Sequence, residues 1–324
     1  MEGEQPMRAP DFWNLMDRFG AYMDDYQHAA LPVPSTIPAL DNVLKGGFRP
    51  GVHFIGGNTG AGKTALCLWM MERMAELDDV ETGRKTGVEF ISLELSESEV
   101  RARLGSQLSH RDDSLVEFAW ADFEALGAKT NRGLSDGTYN PDEDPVYMAD
   151  CALVARCPNV RIIDAIKNPR IQNITDICFE IEACGAHGGR VCFVDYLQCI
   201  EVAPGMDETE AMKDAVRELN LAGMRAGVAV IVIAAVNRAK GSEMRRGKDG
   251  DNPGADIFRG SSWIEYTGLT ALALVRRDDA TTSGDFTEVE LHVVKNRRGT
   301  MGEPLHLGYC GKYGDFYCGS GDGR

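Results

Sequence analysis

Gly57, Asn58, Thr59, Gly60, Ala61, Gly62, Lys63 and Thr64 fit GxxxxGK[ST], the pattern of a phosphate-binding loop. This octet constrains the fold more than any other stretch, because it works only between a strand and a helix. Both flanks comply. Val52-His53-Phe54-Ile55 is a short apolar run that reads as a buried strand, and Ala65–Met71 reads as a helix. Glycines let the backbone curl so that successive N–H groups face phosphate oxygens, and the helix start adds its positive dipole end. Lys63 is expected at the β- and γ-phosphates, with the Thr64 hydroxyl on Mg²⁺. A chance glycine turn is the bland alternative, and the filled positions and correct flanks weigh against it.

The rest of the chain alternates strand and helix. Val88–Leu93, Val160–Asp164, Arg190–Asp195, Val228–Ala235, Thr270–Val275 and Phe286–Lys295 read as strands. Glu97 onward, Ile171–Ala186 and Glu208–Ala226 read as helices, the first opened by a Ser96/Glu99 capping box. A helical stretch is expected around Leu115–Leu126 within a surface excursion over residues 110–158, and residues 237–256 read as a polar loop. Ser261–Tyr266 reads as a short helix. The pattern predicts an α/β fold: a central, mostly parallel sheet flanked by helices.

Three segments follow. Residues 1–36 form an arm, 37–318 the nucleotide-binding domain and 319–324 a flexible tail. Phe12, Leu15, Met16, Phe19, Tyr22, Met23 and Tyr26 recur at helical spacing, and Leu31-Pro32-Val33-Pro34-Ser35 reads as an extended linker. The helix either packs on its own domain or on a neighbouring subunit.

A net charge of −16 argues against non-specific coating of nucleic acid by the whole surface, while leaving room for a local basic channel. The nine cysteines are odd in number and show no CxxC spacing. Buried free thiols in a reducing cytosol explain them best, and a zinc site is a minor alternative. No signal peptide or membrane-length apolar run occurs, and Asn173-Ile174-Thr175 reads as a chance sequon.

Further residues carry candidate chemistry. Asp195 ends an apolar strand, where a carboxylate can meet Mg²⁺ beside the phosphate loop. Glu94 also ends a strand, as a base for the attacking water or as a solvated helix-flanking residue. Lys295 and Arg297 share a strand face, suited to a phosphate or simply to solvent. Arg238, Lys240, Arg245, Arg246 and Lys248 crowd one loop, diluted by Glu243, Asp249 and Asp251. They suit a nucleic-acid backbone or a solvated surface equally.

Taken together, several stretches resemble the RecA-like ATPase domain of DnaB-type replicative DNA helicases. They are Gly57–Thr64, Ile91–Ser96, Val194-Asp195-Tyr196-Leu197-Gln198, Val236-Asn237-Arg238, Phe258–Glu265 and Lys295-Asn296-Arg297-Arg298-Gly299, in the family's order. The resemblance covers roughly residues 37–310. It implies a hexameric ring that hydrolyses ATP with Mg²⁺ at subunit interfaces while moving on single-stranded DNA in replication, in the cytoplasm, with a loader or primase as further partner. It assigns Glu94 as base, Asp195 to Mg²⁺, and Lys295 with Arg297 as groups acting on the neighbour's γ-phosphate. Arg259, Gly260 and Ser262 would lie on the DNA backbone, and the arm helix would dock on the next subunit.

Two departures stand out. The family's helical N-terminal domain is not represented before the arm. Ala234-Ala235 occupy places where the family usually carries Ser-Gln, the glutamine being a γ-phosphate sensor. Ala235 therefore supports an alternative: a RecA-like regulatory or recombination ATPase that binds DNA or a partner without unwinding.

Overall fold

A computed structural model of the 324-residue chain describes residues 19–27, 29–201, 207–246, 253–258, 264, 267–278 and 280–318. The chain divides after Leu31 into two units. In the first, a helix spans Phe19–Gln27, with Phe19, Tyr22 and Tyr26 exposed. Phe12, Leu15 and Met16 lie outside the described residues.

The second unit, from Pro32 on, is built on one sheet. Its strands are β1 (Gly51–Gly57), β2 (Gly87–Ser92), β3 (Val160–Asp164), β4 (Gly189–Asp195), β5 (Ala229–Ile233), β6 (Thr270–Val275), β7 (Thr282–Ser283), β8 (Phe286–Asn296), β9 (Leu305–Cys310) and β10 (Asp315–Tyr317). Their order across the sheet is β10-β9-β8-β6-β1-β5-β4-β2-β3, with β7 on β8. From β6 to β3 all neighbours are parallel, and from β6 to β10 they are antiparallel. The sheet is thus mostly parallel and flanked by helices, as the sequence pattern predicts. The short strands β9 and β10 are not signalled by the sequence. In β9 a histidine and a glycine interrupt an otherwise apolar run, and β10 is only three residues long.

The buried strands alternate faces. Val191 and Phe193 of β4, with Ala229, Ile231 and Ile233 of β5, face helix Lys63–Ala75. Cys192, Val194, Val230 and Val232 face helices Ile174–Ala186 and Glu208–Ala226. A period of two splits each apolar run between two cores, which is why these strands read as continuous hydrophobic stretches. Val33 pairs with Phe48, so the proline segment's second half runs along this unit.

Two local readings change. Helix Arg238–Arg246 replaces the expected loop, with Asn237 accepting from the Ala239 amide at its start. The buried Arg277 donates to the Met244 carbonyl at 2.6 Å, and the Asp278 amide to that of Arg245 at 3.0 Å. These tertiary bonds satisfy the end of a polar helix that its own sequence favours weakly. The excursion over 110–158 holds helices Phe123–Asp136 and Pro145–Arg156 rather than one at Leu115–Leu126. Asp144 caps the second through the amides of Val146 and Tyr147, which fixes its start.

His53, buried in β1, supplies a pH prediction. Its ring bonds the Thr270 hydroxyl and the Arg49 carbonyl, both at 2.8 Å. Burial, reinforced by the nearby Arg49 charge, pushes its pKa down to about 4. The unfolded ring takes up its proton near 6.5. Between these values the unfolded chain holds the extra proton, so acid favours unfolding. Relative to a His53→Gln variant, the protein is expected to lose about 3 kcal/mol between pH 7 and pH 4. Parallel denaturation curves for the two proteins over this range would refute the claim.

Candidate nucleotide site

Strands β1, β5, β4 and β2 are parallel neighbours, so the segments that follow them leave from one edge of the sheet. In such sheets the crevice at the strand C-termini is where ligands bind. Here it is a cavity of about 640 Å³, lined by Gly57, Lys63, Thr64, Glu94, Asp195 and Gln198, among others.

The phosphate loop leaves β1 at Gly57, whose added Cβ would lie 2.3 Å from the Leu274 carbonyl oxygen on β6. Only glycine allows that approach. The loop closes at Gly62, with φ 94°, and helix Lys63–Ala75 begins immediately after it. The loop therefore aims free helix N–H groups at the cavity. Lys63 donates to the carbonyls of Gly57 and Asn58 at 3.1 and 3.2 Å. Burial lowers its pKa, while Asp195 and Glu94 oppose the shift.

The Thr64 hydroxyl donates to Asp195 Oδ2 at 2.8 Å, although the two lie 131 residues apart. Asp195 is only 2% exposed. Burial raises its pKa to about 6, with Glu94 adding to the effect and the Thr64 bond and Lys63 opposing it. A buried carboxylate beside a hydroxyl is a hard-oxygen donor pair that suits Mg²⁺. Glu94 stands exposed at the cavity wall, on the segment between β2 and helix Glu97–Arg111. Asn58 is buried, and both polar atoms of its side chain lack hydrogen-bond partners. An added Cβ on Gly241 of helix Arg238–Arg246 would lie 2.9 Å from Asn58 Oδ1. The phosphate loop and that helix are therefore in direct contact.

Lys295 and Arg297 are elsewhere. β8 runs antiparallel to β6, and Ala271 faces Lys295. Thr270 in turn faces His53 near the start of β1. Lys295 and Arg297 thus sit at the end of the sheet opposite the phosphate loop, which leaves after Gly57, about 13 Å further along β1. Lys295 Nζ donates to the Ile264 carbonyl at 2.9 Å, and Arg297 is exposed. Arg245 and Arg246 are exposed on helix Arg238–Arg246, with Arg245 3.8 Å from Asp278. Arg259, Gly260 and Ser262 lie outside the described residues, as do Lys248 and all but Ile264 of the expected 261–266 helix.

Sequence reasoning gave Gln198 no role of its own. Its side chain accepts from the Ala235 amide at 3.1 Å and links the turn after β4 to the end of β5. Its signal in the sequence is its place three residues after Asp195, at the end of the Val194–Gln198 stretch.

Residues 32–317 match the family model for the DnaB-like helicase C terminal domain. The chain belongs to this family. Two solved structures share its fold. One, described as an ATPase domain, has a TM-score of 0.70 at 19% identity, covering 94% of this chain and 98% of that one. The other is a DnaB-like replicative helicase studied for its interactions with primase, with a TM-score of 0.68 at 19% identity, covering 94% of this chain and 68% of that one. No curated protein sequence matches. The DnaB-like domain implies nucleotide binding, which agrees with the cavity at the phosphate loop. No described helix is long and apolar enough to cross a membrane.

Proposed function

We propose that this DnaB-like chain is an ATP-driven helicase or translocase that hydrolyses ATP at subunit interfaces and moves on single-stranded DNA in replication. The convergence of Lys63, Thr64, Glu94 and Asp195 on one cavity carries this reading. Residues 37–318 act as the ATPase domain, behind the arm at 1–36 and ahead of the tail at 319–324. Gly57 to Thr64 hold the triphosphate, and Lys63 leaves its loop carbonyls for phosphate oxygens. Thr64 and Asp195 hold Mg²⁺, which would supply charge neutralisation between the phosphates. Glu94 orients and deprotonates the attacking water.

Lys295 and Arg297 act on the neighbour's terminal phosphate. Their position at the far end of the sheet supports this, because they face away from their own phosphate loop. A head-to-tail assembly that closes into a hexameric ring brings the two ends of adjacent chains together. Arg245, Arg246, Arg259, Gly260 and Ser262 contact the DNA backbone, with a loader or primase as a further partner in the cytoplasm.

ATP turnover is expected to rise when single-stranded DNA is added, and this stimulation should weaken as salt rises. Oligomeric mass is measured on the same material. Equal turnover with and without DNA, with no DNA binding at low salt, would remove translocation. Ala235 favours a second reading, a RecA-like regulatory or recombination ATPase in which nucleotide controls assembly. Unwinding of a forked duplex would exclude it.

A further inference from the structure

We propose that Gln198 binds the terminal phosphate of ATP and distinguishes ATP from ADP. The inference rests on the reading of the cavity as an ATP site.

Gln198 sits on the short turn Leu197–Cys199, just beyond Asp195. Its side chain borders the same cavity as Lys63, Thr64, Glu94 and Asp195. The orientation of its amide is fixed by one bond: Oε1 accepts from the Ala235 N–H at 3.1 Å. Nε2 must then point away from Ala235. That nitrogen is shielded from solvent and has no hydrogen-bond partner. A buried N–H donor without an acceptor is a costly arrangement in a native site.

The neighbouring residues at the end of β5 are less suited to this task. Ala235 also lines the cavity but offers only a methyl group. Asn237 borders it too, with its Oδ1 engaged by the Ala239 amide at the start of helix Arg238–Arg246. Across the sheet edge the phosphate loop on β1 comes first, then β5 with Ala235, β4 with Asp195 and Gln198, and β2 with Glu94. Gln198 therefore stands beside Asp195 on the β5 side, at the wall of the cavity that the phosphate loop borders. A γ-phosphate oxygen in this cavity would supply the acceptor that the unpaired Nε2–H lacks, once nucleotide binding shifts the groups that shield it. ADP has no such oxygen, so the bond would form with ATP only. Oε1 meanwhile keeps the β4 turn fastened to β5, which holds the donor in position.

Gln198→Ala and Gln198→Glu variants test this. Glutamate keeps an acceptor for the Ala235 amide and removes the donor. Alanine removes both without adding charge. Affinities for ADP and for a non-hydrolysable ATP analogue are measured with melting temperature and steady-state kcat. In both variants, analogue affinity is expected to fall about tenfold more than ADP affinity, the effect of losing one hydrogen bond to a charged group. The melting temperature of Gln198→Glu should stay near that of the parent, and kcat should fall in both.

A purely structural role predicts a different result. Gln198→Ala would then weaken both nucleotides equally, and Gln198→Glu would behave as the parent. An unchanged preference for the ATP analogue in both variants overturns the assignment. A parent protein that binds neither nucleotide instead overturns the reading of the cavity itself.

Discussion

Lys63→Ala is expected to reduce ATP hydrolysis by at least about a hundredfold, the cost of removing one preorganised cation or donor from developing charge. The side chain is well placed for this effect. Lys63 opens its helix at the mouth of the cavity, and its ammonium reaches the two loop carbonyls of Gly57 and Asn58. Burial already disfavours its charge. A phosphate would offer stronger, charge-assisted acceptors than those carbonyls. Because the carbonyl bonds lie at the border of a cavity, their loss should change folding stability by no more than about 1 kcal/mol. Hydrolysis by the variant is compared with its melting curve. A variant that melts like the parent and still turns over ATP at a similar rate would sink the phosphate role of Lys63.

Arg297→Ala is expected to be at least as damaging, by about a thousandfold, because its guanidinium would stabilise transition-state charge across an interface. The informative experiment is the mixture. Lys63→Ala chains lack the phosphate-loop half, and Arg297→Ala chains lack the opposite half. In a head-to-tail ring assembled from equal amounts, about a quarter of the interfaces combine both intact halves. Turnover should therefore recover to about a quarter of the parent's, well above either variant alone. Recovery must also require subunit exchange, so rings mixed after assembly should stay inactive. Unimpaired hydrolysis by Arg297→Ala alone would refute the role in trans. So would a mixture that never exceeds its components.

Much of this candidate site is legible in the sequence. The phosphate loop is a local device whose chemistry depends on eight consecutive residues and their flanks. Asp195 was legible only in combination: an apolar strand ending in a carboxylate is common, as Asp164 of β3 shows, and the phosphate loop upstream made Asp195 a candidate. The basic helix Arg238–Arg246 was not, because its polar sequence carries no apolar stripe. It is held by Arg277 and Asp278, which lie some thirty residues downstream. The placement of Lys295 and Arg297 was half legible. Their spacing showed two cations on one face, and only the antiparallel pairing of β8 with β6 put them at the sheet edge opposite the phosphate loop.

The sequence alone determined the kind of elements in this protein and the identity of its phosphate loop. These depend on short-range backbone preferences and on periodicity, which can be read a few residues at a time. Its resemblance to DnaB-type ATPase domains rests instead on several short motifs in the family's order. Only the tertiary structure decided which strands are neighbours. Strand order follows from how two apolar faces are buried at once, and that balance is struck over the whole chain. Through it Thr64 meets Asp195, the Ala235 amide finds Gln198, and Arg297 is left exposed at the far edge.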